Sequence, residues 1–87
     1  MREADLTNVA RERRRTVALD AWACRADGSR QTVVVTDISR GGCQIRTDTA
    51  YEVGEVITLE HEVLGKLPAE VRWSCAGRFG MQFVSPL

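Results

Sequence analysis

The stretch "DISRGG", residues 37 to 42, carries more chemistry than a turn requires. A tight hairpin connection needs two loop residues, commonly Asn-Gly or Asp-Gly. Here an acid, a hydroxyl, a cation and two glycines stand between the apolar runs "QTVVVT" and "CQIRT". Asp37 and Ser39 are two apart, which in a strand puts both on one face as an acceptor pair. Gly41 and Gly42 lack a Cβ, so they can take positive φ or let a ligand come close to the backbone. A second group lies upstream. Four of the five residues 11 to 15 ("RERRR") are arginine, with Arg11 and Arg15 in the spacing RxxxR. A guanidinium offers a planar fork of donors and can also stack on rings. Read alone, "DISRGG" is equally an Asx-type turn, and "RERRR" is first of all a solvated charged arm, the usual fate of a charge run, with a nucleic-acid-binding arm as the sharper competitor.

The elements that must position these residues are strands. From Thr16 onward apolar residues recur with period two, the strand signature. The pattern predicts strands over 16–26, 31–39, 43–47, 54–61, 66–75 and 78–84, joined mostly by short Gly- or Asp-bearing turns. In "KLPAEVRWSC" the residues Leu67, Ala69, Val71, Trp73 and Cys75 alternate with polar ones. That alternation assigns Trp73 to the core. Pro68 cannot donate to a central ladder, so it marks a strand start, an edge or a bulge. No long segment of helical period is present. The fold class is therefore all-β, a six-stranded antiparallel β-barrel, because closure of so small a sheet removes its exposed edges. Residues 1–15 read as a flexible N-terminal arm and residues 16–87 as the barrel.

Composition sets limits. With 87 residues and 44% hydrophobic content the chain fits one small folded domain. Its N-terminus lacks the apolar stretch of a signal peptide, and no apolar run is long enough to span a membrane. The expected location is cytoplasmic, without membrane insertion. Cys24, Cys43 and Cys75 are odd in number and widely spaced. They support neither a disulfide framework nor a zinc site, and are expected as buried thiols. His61 has no second ligand at useful spacing. No Ser/His/Asp set, activated carboxylate pair or phosphate loop is present, so the chain is not expected to be an enzyme or to carry a cofactor. Formal net charge is zero, and eleven of the twelve basic residues are arginine. A local arginine cluster on a neutral domain suits a specific anionic ligand better than a tract of DNA or RNA, which favours a broad basic surface.

RxxxR just before the first strand, followed by DxSxxG after the second, resembles the PilZ domain family. "VVVTDISRGGCQI" is similar to that family's second strand, motif and third strand. "AEVRWSCAGRFGMQFV" is similar to its closing hairpin. The resemblance covers nearly the whole chain. It implies a six-stranded barrel that binds the bacterial second messenger cyclic di-GMP. Arg11, Arg15, Asp37, Ser39 and Gly42 would be the ligand-binding residues, with Arg13, Arg14, Gly41 and Arg78 as further contacts. The chemistry is consistent. A guanine presents O6 and N7 to an arginine fork, and its opposite edge presents N–H donors to a carboxylate and a hydroxyl. An arm that orders on binding would change the surface offered to a downstream protein. The alternative is an adaptor that works through protein contacts and binds no nucleotide. Many family members end in a helix that covers one end of the barrel, and this sequence reaches Leu87 directly after the last strand. An uncovered apolar end would favour a homodimer.

Overall fold

The computed structural model describes residues 14–87. The expectations for Arg11 and Arg13, and for the arm as far as residue 13, lie outside the described residues. Six strands follow in chain order: β1 (Arg15–Cys24), β2 (Arg30–Ile38), β3 (Gly42–Arg46), β4 (Val56–His61), β5 (Gly65–Cys75) and β6 (Arg78–Phe83). They close into an antiparallel barrel in the order β1-β2-β3-β6-β5-β4. This is the expected architecture, with strand ends shifted by only one or two residues.

Alternation builds the core. Ala21 and Ala23 of β1, Val33 and Val35 of β2, Cys43 and Ile45 of β3, and Ile57 and Leu59 of β4 all point inward. Ala69 and Val71 of β5 join them, with Phe79, Met81 and Phe83 of β6. Three alanines on β1 and β5 make room for the large side chains of β6. A closed barrel this narrow needs that small-against-large match. Tyr51, from the β3–β4 loop, is buried at one end, with its ring edge-on to Phe79 at a centroid distance of 5.4 Å. Arg25 covers the outer face of that ring at 4.5 Å and pairs with Glu55 at 2.6 Å.

Pro68 sits inside β5, opposite Thr58 of β4. Its carbonyl accepts a hydrogen bond from Val84 N–H, beyond the end of β6 at Phe83. The N–H and C=O of one antiparallel residue point to the same side. The donor that proline lacks would therefore have faced a place where β6 has already ended.

Two expectations fail on β5. Trp73 is not in the core but 41% exposed, and Cys75 is exposed. The register supplies the reason. Val71 pairs with Met81 and Trp73 with Gly80, so Arg72 is an extra residue, a β-bulge. A bulge shifts the inward–outward alternation by one. Before it the odd-numbered residues of β5 face inward, and after it they face outward. Of the three cysteines only Cys43 is buried; Cys24 is half-buried.

Candidate binding cleft

A second bulge lies across the barrel wall. Val35 of β2 pairs with Ile45, but Asp37 pairs with Gln44, so Thr36 is extra. Without it Asp37 would continue the inward series Val33, Val35. With it, Asp37 shares the outer face with Gln44, and Ile38 turns in against the core. The two bulges thus deliver Asp37 and Trp73 to the same outer surface. Strands β3 and β6 lie between them.

These residues line a cleft of about 370 Å³ together with Arg14, Ser39, Gly42 and Arg72. Ligand sites are commonly concave spaces of this order. The Trp73 indole lies over Gly80, the residue opposite it on β6. Any Cβ at Gly80 would overlap the indole ring atoms. Arg72 donates from Nη1 to Oε1 of Gln82, which holds the bulged side chain along the cleft wall.

The loop between β2 and β3 is built from "DISRGG". Ser39 N–H donates to the Gly42 carbonyl at 2.8 Å, and Ser39 Oγ accepts from Gly42 N–H at 3.3 Å. The Gly41 carbonyl accepts from Phe83 N–H, and the Arg40 carbonyl from Leu87 N–H, each at 2.8 Å. Neither Gly41 nor Gly42 adopts the positive φ that the sequence allowed. Gly42 is instead required by packing, because a Cβ there would overlap the backbone carbonyl of Met81 on β6.

The structure brings together Asp37, Ser39, Gly41, Gly42 and Arg14 of the residues singled out in the sequence. Arg14 Nη2 lies 3.5 Å from Asp37 Oδ2, with 62% and 25% side-chain exposure. So exposed a pair contributes about 0–1 kcal/mol and is easily exchanged for another partner. Arg15 and Arg78 stand elsewhere. Arg15 pairs with Ile38, whereas Thr16 pairs with Asp37, so the register gives Arg15 the face opposite to that of Asp37. Arg78 is on the outer face, level with Arg46, one row beyond the cleft. Sequence reasoning missed Trp73, Arg72 and Gly80. A signal was present, since a glycine inside a strand marks a bulge or a close approach, and Gly80 interrupts the run Phe79–Met81.

The cleft offers two cations, a carboxylate, a hydroxyl, two amide side chains and a flat aromatic face. That set can stack a planar heterocycle, accept its N–H groups and neutralise a phosphate. Cys43 forms part of the inner wall, where burial pushes its thiol up to about 12, so it is a neutral, apolar group at ordinary pH. Among the described residues, no three His, Cys, Asp or Glu side chains converge as a metal site. No helix among them is long and apolar enough to cross a membrane.

Fold and cleft define a small closed antiparallel β-barrel with a polar cleft walled on one side by an indole. Comparison with known proteins gives the family. The PilZ domain model matches residues 10–87, and the chain belongs to the PilZ domain family. Among solved structures it is similar to the PilZ domain of CeSA from a cellulose-synthesizing bacterium. The TM-score is 0.71 at 21% identity, over 86% of this chain and 83% of that one. That likeness is one of fold. No curated protein matches the sequence.

Proposed function

We propose that the domain is a receptor for cyclic di-GMP and that it binds the nucleotide in the cleft between Asp37 and Trp73. The observation that carries this reading is the paired bulge. Two local irregularities of the barrel put a carboxylate and an exposed indole on one surface, with an arginine from the N-terminal segment at the mouth. Asp37 and Ser39 would accept from the N–H edge of a guanine. Trp73 would stack on its ring, and Arg72 would face a phosphate. Arg11, Arg13 and Arg14 would close over the ligand, taking guanine edges and phosphates, and Arg15, which begins β1, would join them by leaving its pairing with Ile38. The Arg14–Asp37 pair would break as guanine N–H groups replace the guanidinium. The changed arm would then alter what a downstream protein meets. The bacterial cytoplasm is the location that fits this ligand.

Isothermal titration of the purified protein with cyclic di-GMP tests the reading. Binding at micromolar ligand is expected, with a loss of about 1–3 kcal/mol in Asp37→Ala or Arg15→Ala, as for other bidentate or buried polar base contacts. Trp73→Ala should cost a similar amount, about 1–3 kcal/mol for one stacked base. Absence of heat at micromolar ligand removes the proposal and leaves the nucleotide-free adaptor. Unchanged affinity in Arg15→Ala removes that residue from the site.

A further inference from the structure

The outer row next to the cleft holds an unusual pair. Arg46 of β3 and Arg78 of β6 are direct cross-strand partners, and both are exposed. Like charges directly opposed across an antiparallel pair are destabilising. Neither forms an ion pair among the described residues, although Arg14, Arg25 and Arg30 each find an acid. The row runs from Val34 through Arg46 and Arg78 to Cys75, and ends at the β5–β6 hairpin. That hairpin tip is small, Ala76-Gly77, with both residues at positive φ. The nearest acid along the row is Asp20, opposite Val34 on β1. It lies two strand spacings from Arg46, about 10 Å. Asp48 follows in the β3–β4 loop.

We infer that the Arg46–Arg78 ledge is a docking surface for a segment of a partner protein that carries two carboxylates. Two guanidinium forks side by side match two carboxylates on one extended segment, each able to take a bidentate pair. The surroundings disfavour a nucleic acid. The ledge supplies two cations with Asp20 and Asp48 at its flank, whereas binding of a nucleic-acid strand needs many phosphate contacts; the segment that matches carries two carboxylates with neutral residues beyond them. This inference goes beyond the nucleotide reading and stands whether or not the cleft binds a nucleotide. If both hold, a partner on the ledge lies one strand row from the ligand.

The test uses the full chain and a fluorescein-labelled peptide with one Asp and one Glu, separated by a single residue, between Gly/Ser flanks, with its Asn/Gln counterpart and an oligothymidylate of equal length. Anisotropy should show salt-sensitive binding of the acidic peptide alone. The double variant Arg46→Gln, Arg78→Gln should weaken it about tenfold or more, as expected on losing two charge-assisted pairs. The melting temperature of that variant should equal or exceed that of the parent, because a repulsive pair has been removed. Amide shifts in the peptide titration should centre on Arg46, Gly77 and Arg78. Tighter binding of the oligothymidylate overturns the inference in favour of a nucleic acid. Equal binding of the Asn/Gln peptide, or no binding at all, also overturns it. So does a loss that follows Arg14→Gln and not the ledge variant.

Discussion

Gly42 is the residue whose role differs most between motif and structure, and one substitution separates the two accounts. At an ordinary φ, Gly→Ala removes freedom from the unfolded chain and stabilises by about 0.4–1 kcal/mol. Gly42 does not have positive φ, so on backbone grounds alanine should help. But its Cβ would overlap the Met81 carbonyl, which is backbone and cannot rotate away. Forcing β3 and β6 apart is an overpacking change that costs about 1–3 kcal/mol. Because the obstacle is backbone, the upper part of that range applies, and the net effect of Gly42→Ala is a loss of about 1–2 kcal/mol. For a domain this small that lowers the melting temperature by about 5–15 °C. Thermal and urea unfolding, followed by far-ultraviolet circular dichroism, reads it, with the m value unchanged. Gly80→Ala is the matched comparison. Its Cβ meets the Trp73 indole, a side chain that can lift off the strand. The fold should lose less, while Trp73 fluorescence shifts to the red as the indole gains water. Native stability in Gly42→Ala, together with lost affinity for cyclic di-GMP, would refute this reasoning and return Gly42 to the role of leaving space for a ligand.

Three further outcomes follow from the same coordinates. Ala76 adopts φ 50° at the β5–β6 turn, where a left-handed conformation costs an ordinary L-residue about 1–2 kcal/mol; Ala76→Asn should raise unfolding stability by about 0.5–1 kcal/mol in urea titrations. The Arg25 hydrogen bond holds the Glu55 carboxyl below its usual value of 4.5. A lowered folded value means this contribution is present above about pH 4.5 and is lost as pH falls through the folded value. Acid unfolding followed by fluorescence should therefore have a shallower limb below that pH in Glu55→Gln. Finally, iodoacetamide should label the exposed Cys75 quickly, and Cys43 only in denaturant. Burial pushes the Cys43 thiol to about 12, and it is the thiolate that reacts. Mass spectrometry of the native protein checks this, and rapid native labelling of Cys43 would contradict its place in the core.

Period-two patterning carried most of the fold, because in a barrel each inward position is tested against one shared core. Val33, Val35, Ile57, Leu59, Ala69 and Val71 all fall where alternation puts them. It failed at Trp73 and Cys75 for a single cause. The bulge at Arg72 reverses alternation from that point, and a bulge is a matter of pairing between strands, which one strand's own sequence does not contain. "EVRWSC" reads as an unbroken alternation whether or not Arg72 is extra. Asp37 shows the same thing in reverse. Alternation continued from Val35 would have buried it, and its chemistry alone marked it as exposed. Glycine gives the partial remedy. Gly42 and Gly80 are both positions where a neighbouring group occupies the space of a Cβ. A glycine inside an otherwise apolar strand therefore points to a partner strand or ring at close range. Had Gly80 been read that way, a large flat residue opposite it would have been expected, and Trp73 is the tryptophan within reach on β5. The cleft is thus the part of the barrel where alternation breaks on both flanking strands. The bulge that hid Trp73 from the sequence and the one that turns Asp37 outward together place an indole and a carboxylate on one outer surface.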